Sequence, residues 1–83
     1  MTSEPRRFLL YHTAGCHLCE LAEELLVPLA ARQGWSIERV DIAGDDELEA
    51  RYGVRIPVLH DAAAGHEIGW PFDGAAVLAA FSG

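Results

Sequence analysis

Residues 7–30 read RFLLYHTAGCHLCELAEELLVPLA, and this stretch decides the fold. Its first part sets Phe8, Leu9, Leu10 and Tyr11 in an unbroken apolar run closed by Thr13-Ala14-Gly15. That is the profile of a short buried strand over Arg7 to His12. Its second part repeats Leu18, Leu21, Ala22, Leu25, Leu26, Leu29 and Ala30 at the three-four spacing of one helical face. Glu20, Glu23 and Glu24 fall mostly on the other face. Pro28 predicts a kink, because proline removes a backbone donor and crowds the preceding turn. Gly34 is a good C-terminal stop, with Trp35 placed to fold back onto the helix. Two cysteines, Cys16 and Cys19, sit where the strand meets the helix.

Downstream, Trp35 to Ile42 alternates loosely between apolar and polar residues and reads as a second strand. Gly44-Asp45-Asp46 opens a short helix through Tyr52, with acid at its N-terminus and Gly53 just past its end. Ile56 to His60 is a third strand and Glu67-Ile68-Gly69 a fourth, joined through Asp61 to Gly65 as an antiparallel hairpin. Asp73 caps a final helix in which Ala76, Val77, Ala80 and Phe81 face inward. The order is β-α-β-α-β-β-α, an α/β chain with one four-stranded mixed sheet flanked by three helices. With 83 residues and 9.0 kDa there is room for one domain. It is expected over residues 7–82, after a flexible lead-in at 1–6.

The net charge is −7 and the chain has no lysine. Six scattered arginines make no basic stripe for nucleic acid, and an acidic surface repels anionic lipid. No apolar run approaches the roughly 20 residues of a spanning helix. Arg6-Arg7 has the look of a twin-arginine export signal, but the stretch from Tyr11 to Cys16 is too polar, and the apolar run before it too short, for such a signal. A cytoplasmic protein is expected. Two cysteines are too few for the disulfide framework of a small secreted domain.

Their spacing carries the chemistry. Residues i and i+3 share a helix face, so the sulfurs of Cys16 and Cys19 can close a disulfide with little movement. A cysteine at the helix N-terminus meets unpaired N–H groups and the positive end of the helix dipole, which stabilise the thiolate that attacks disulfides. Cys16 is therefore read as nucleophile, more acidic than free cysteine, and Cys19 as resolving thiol. His17 adds a cation nearby when protonated, and Glu20 pushes the other way. Three other readings stay open: half of a zinc site, buried structural cysteines, or an iron–sulfur cluster shared between protomers. A zinc site needs further ligands, and only His12, His17, His60 and His66 are on hand.

The element order, the CxxC at the first helix and Ile56-Pro57-Val58 at the third strand together resemble the glutaredoxin branch of the thioredoxin fold. Tyr11, five residues before Cys16, fits the same pattern. The chain is most similar to small bacterial glutaredoxin-like proteins, through Cys-x-Leu-Cys, Tyr52-Gly53-Val54-Arg55-Ile56-Pro57-Val58-Leu59 and Trp70-Pro71-Phe72-Asp73. The resemblance spans about residues 7 to 82. It implies a cis Pro57 beside the nucleophile, with the Ile56 backbone pairing to an extended thiol substrate.

The chain also departs from glutathione-using glutaredoxins. Thr13 stands where they carry lysine for a glutathione carboxylate. Gly69-Trp70-Pro71-Phe72-Asp73 replaces their Gly-Gly-Cys-Asp-like loop, so Trp70 adds bulk and Pro71 removes a donor. Asp73 is then either a ligand partner or only a helix cap. Leu10 occupies the place of the buried acid of thioredoxins, so an internal carboxylate mechanism is not supported.

The expected substrate-binding set is Thr13, Arg55, Ile56, Pro57, Trp70 and Asp73. Arg55 reads equally as a cation for substrate and as half of a surface ion pair. Trp70 and Phe72 read as an apolar lip or as core. His12 ends a strand near the loop, as a proton-transfer aid or a plain surface residue. His60 and His66 are expected to face water. The whole reads as a thiol–disulfide oxidoreductase, monomeric, with no metal or prosthetic group and with glutathione as a candidate co-substrate. Its partners would be a disulfide-bearing protein or a glutathione mixed disulfide, and a reductant. The rivals are a non-catalytic redox-responsive binding module and a metal or iron–sulfur carrier.

Overall fold

The computed structural model describes residues 5–81. Residues 1–4 of the expected lead-in and Ser82 of the expected domain lie outside the described residues. The elements run β1 (Arg7–His12), α1 (His17–Gln33), β2 (Ser36–Asp41), α2 (Asp46–Tyr52), β3 (Val58–Asp61), β4 (Glu67–Gly69) and α3 (Gly74–Phe81). This is the element order read from the sequence. The four strands form one sheet in the order β2-β1-β3-β4. β1 pairs in parallel with β2, Phe8 opposite Ile37 and His12 opposite Asp41. It pairs antiparallel with β3, Tyr11 opposite Val58, and β3 pairs antiparallel with β4, His60 opposite Glu67.

Because side chains alternate along a strand, β1 feeds two separate apolar layers. Phe8 and Leu10 join Ala22, Leu26 and Leu29 of α1, Leu59, Phe72, and Val77 and Phe81 of α3. Tyr11 joins Ile42, Tyr52 and Val58 on the other face, with Leu9, Val40, Leu48 and Ile56 packed around them. The Tyr11 and Tyr52 rings stack there at 4.3 Å.

The helices keep most of their expected signals. α1 carries through Pro28 to Gln33 and stops at Gly34, whose φ of 73° is the left-handed geometry that suits glycine. Trp35 then turns back, its N–H bonded to the Ala30 carbonyl and its ring 4.6 Å from that of Phe8. Asp45 caps α2 through the Leu48 N–H, and Asp73 caps α3 through the Ala76 N–H.

Some residues sit differently from the sequence reading. The buried stripe of α1 is Cys19, Ala22, Leu26, Leu29 and Ala30, so Leu18 and Leu21, a step round the helix, are 45% and 37% exposed. Ala76 is likewise exposed, and Val77 and Phe81 do the packing on α3. β3 begins at Val58 and not at Ile56, since Pro57 has no N–H for the ladder. Arg6, counted within the lead-in, is tied down. Its guanidinium bonds Asp61 at 2.8 Å and the Phe81 carbonyl, and lies over the rings of Phe8, Trp35 and Phe81.

Asp61 is 1% exposed, and burial alone would raise its carboxyl. The Ala63 and Ala64 N–H groups and Arg6 outweigh that and hold it below the usual carboxylate range. A depressed native value stabilises the fold in full above the ordinary aspartate value of about 3.9, and the gain is lost as pH falls through the lower native value. Stability measured by denaturation is expected to drop across that window, and Asp61→Asn is expected to flatten the dependence. A second expectation concerns the core. Phe8→Ala, removing a fully buried ring in edge contact with Phe81 at 4.9 Å, should cost about 3–5 kcal/mol in urea unfolding.

Candidate functional site

The loop after β1 delivers the first cysteine. Gly15, at φ 77°, makes the left-handed step that aims the chain into α1. Cys16 is the N-cap of that helix, with extended backbone, and its sulfur accepts the Cys19 N–H at 3.1 Å. A sulfur thus fills the capping place usually held by a serine or aspartate oxygen. The Cys16 carbonyl accepts the Glu20 N–H, so the first turn is closed around the motif. Cys16 is half-buried and Cys19 is 4% exposed. The two stand at disulfide distance, their Cα atoms 5.2 Å apart. Cys16 is the more accessible of the two, and Cys19 is sheltered one turn behind it.

Three further segments reach the same end of the sheet. β1 ends at His12 just before the cysteine loop. β3 runs the other way, so Pro57, one residue before the Tyr11–Val58 pair, lies at this end as well. The Ile56–Pro57 peptide is cis, and so is Trp70–Pro71. The Trp70 N–H bonds the Pro57 carbonyl at 3.1 Å, carrying the β3–β4 pairing one step beyond Val58 and Gly69. Strand register therefore brings Thr13, Cys16, Ile56, Pro57, Trp70 and Asp73 to one end of the molecule.

They do not all present free groups. Pro57 is buried and Ile56 and Thr13 are half-buried. The Trp70 ring packs on Phe72 at 5.1 Å, and Phe72 belongs to the core. The Asp73 carboxylate is the cap of α3, beside a shallow depression lined by Pro71, Phe72 and Ala76. The Arg55 backbone is at this end, yet its guanidinium turns back along the sheet to Glu67 at 3.0 Å and lies over the Tyr52 ring. Among the described residues no group of three or more His, Cys, Asp or Glu is gathered as a metal site.

Glu67 is the residue the sequence reading missed. It accepts hydrogen bonds from the Tyr52 hydroxyl at 2.8 Å, from Arg55, and from His60 Nδ1 at 3.1 Å. A carboxylate can only accept, so this nitrogen of His60 carries the proton. Burial alone would raise Glu67, but the bonds from Tyr52, His60 and Arg55 hold it below its usual range. Burial, and then the bond to Glu67, push the Tyr52 phenol upward. His60 is thus half-buried and engaged, not facing water. His66 is exposed, its ring edge-on to Phe81 at 5.4 Å. The signal was present in the sequence: a hairpin turning through 61–65 sets His60 opposite Glu67, an acid–base cross-strand pair.

The chain matches the glutaredoxin-like domain family (DUF836) over residues 7–82. No curated protein matches it. Among solved structures, the X-ray structure of the target protein XcR50 from X. campestris is 40% identical. That match covers 87% of this chain and 91% of the other, with a TM-score of 0.77. The solution NMR structure of protein Ne2328 from Nitrosomonas europaea is 30% identical, covers 95% and 94%, and has a TM-score of 0.80. The open β2-β1-β3-β4 sheet with its three helices is thioredoxin-like. With a CxxC pair at disulfide distance on that frame, the chain belongs to the glutaredoxin-like domain family.

Proposed function

We propose that this protein is a dithiol thiol–disulfide oxidoreductase in which Cys16 is the nucleophile and Cys19 the resolving thiol. The observation that supports it best is the unequal setting of the two sulfurs: Cys16 caps α1 and reaches the surface, and Cys19 is buried one turn behind. An N–H aimed at the Cys16 sulfur, and the N-terminal end of a 17-residue helix behind it, favour negative charge there. In the reductive direction the Cys16 thiolate attacks one sulfur of a substrate disulfide. That S–S bond breaks, one substrate thiol leaves with a proton, and a mixed disulfide remains. The Cys19 thiolate then attacks the Cys16 sulfur and releases the second thiol. Two electrons have passed to substrate, and the protein holds the Cys16–Cys19 disulfide.

An extended substrate chain would lie along the Ile56 backbone beside Pro57, with Trp70 and Phe72 as its apolar border. We further propose a cytoplasmic setting, a role in redox homeostasis, a monomer, and protein disulfides or glutathione mixed disulfides as substrates. Glutathione or a reductase would restore the dithiol.

Equilibration across glutathione redox buffers, followed by intact mass and thiol count, tests it. A reversible loss of two protons with a midpoint between about −270 and −180 mV is expected. Cys16→Ser should lower disulfide reductase turnover by at least about 10³-fold. Cys19→Ser should instead accumulate the mixed disulfide on Cys16, seen as an added mass. Full activity in Cys16→Ser would overturn the proposal.

A further inference from the structure

The cations of this chain are distributed unevenly with respect to the cysteines. There is no lysine, and the arginines number six. Arg6 is held by Asp61 and Arg39 by Glu23, and Arg51 lies near Glu47 along α2. Arg7 opens β1 and Arg32 lies in the last turn of α1, both at the end of the sheet away from Cys16. Arg51 and Arg55 both stand where α2 turns into β3 at the Cys16 end; Arg51 faces Glu47 at 3.9 Å on the open surface, and Glu67 holds Arg55 at 3.0 Å. The hold is built. Glu67 is anchored from two further sides, by Tyr52 and His60, and the Arg55 guanidinium rests on the Tyr52 ring at 5.4 Å. Meanwhile carboxylates stand around the Cys16 end: Glu20 in the first turn of α1, Asp41 at the end of β2, Asp45 capping α2 and Asp73 capping α3.

We propose that Glu67, by keeping Arg55 in an intramolecular ion pair, makes the dithiol site select cationic over anionic disulfides. This rests on the oxidoreductase reading above. Glu67 touches no substrate and acts through Arg55, so it is a positioning residue that sets specificity. An anionic disulfide arriving at Cys16 meets several carboxylates, and the two arginines at that end each face a carboxylate of their own, whereas a cationic disulfide is drawn in. Such steering acts mainly on the bimolecular rate and fades with salt.

The test oxidises the reduced protein in single turnover with three small disulfides: cystamine, a dication; bis(2-hydroxyethyl) disulfide, neutral; and glutathione disulfide, a net anion at neutral pH. In each, the protein dithiol becomes the Cys16–Cys19 disulfide and two equivalents of small thiol are released, so thiol count and mass follow the reaction. Each rate is divided by that of dithiothreitol with the same disulfide, which removes differences in leaving-group reactivity. At low ionic strength the normalised rate with cystamine should exceed that with glutathione disulfide at least about fivefold, with the neutral compound between. The gap should close near about 0.5 M salt. Glu67→Gln should speed glutathione disulfide and slow cystamine, and adding Arg55→Ala to it should undo both changes. Opposite movement of the two rates is a signature that loosened structure would not produce. The wild-type ratios and their salt dependence decide the charge selection even if Glu67→Gln does not fold, and a folded Glu67→Gln that leaves both rates unchanged overturns the role given to Glu67. Equal normalised rates, or a ratio indifferent to salt, overturn the charge selection alone. Failure of all three disulfides to oxidise the pair overturns the oxidoreductase reading and this one with it.

Discussion

Everything in this fold hangs on one strand that packs against apolar side chains on both faces. β1 is flanked by β2 and β3, and its alternate side chains feed two apolar layers, Phe8 and Leu10 into one and Leu9 and Tyr11 into the other. Residues buried on both faces fix register, because a slip of one position would exchange the two layers. Fixed register in turn fixes where β1 ends, and the cysteine loop begins there. The position of Cys16 is therefore a consequence of hydrophobic packing several residues away, and the same packing puts Pro57 and Trp70 at that end through β3 and β4.

Polar contacts then complete what packing leaves loose, one on each face of the sheet. Asp61 is buried at the turn of the hairpin and takes its bonds from two turn N–H groups and from Arg6. Glu67, one rung along the same hairpin but on the opposite face, gathers Tyr52, Arg55 and His60. Each is a half-buried or buried carboxylate with several donors, the arrangement under which burying a charge is tolerated. Among the described residues no buried side-chain nitrogen or oxygen lacks a hydrogen-bond partner.

The sequence was readable where the signal is local. Phe8-Leu9-Leu10-Tyr11 announced a buried strand, Gly34 and Asp73 announced helix boundaries, and Cys16 with Cys19 announced a pair of sulfurs at disulfide distance, because each acts within a turn or two of chain. It was less readable where the outcome depends on which neighbour arrives. The spacing of Leu18 and Leu21 suits an apolar face, but the width of the buried stripe is set by the sheet and α3, which periodicity does not report. Arg55 was balanced between substrate and ion pair because its partner lies 12 residues on, across a hairpin. Arg6 passed for lead-in because its partners, Asp61 and Phe81, are 55 and 75 positions away. Long-range pairing of single polar residues leaves no periodic trace.

The Arg6 guanidinium joins the hairpin turn to the last residue of α3, at the pole of the molecule remote from the disulfide. The two ends of the described chain are thus neighbours, the situation in which circular permutation is readily accommodated. A covalent bridge from Phe81 back to Arg6 would need only a short connector, and new ends would be best opened in the exposed 62–65 turn or at Gly44. Surface immobilisation through residues beside Arg6 or Phe81 would likewise point the disulfide away from the support. The architecture keeps its cysteine pair and its points of attachment at opposite poles.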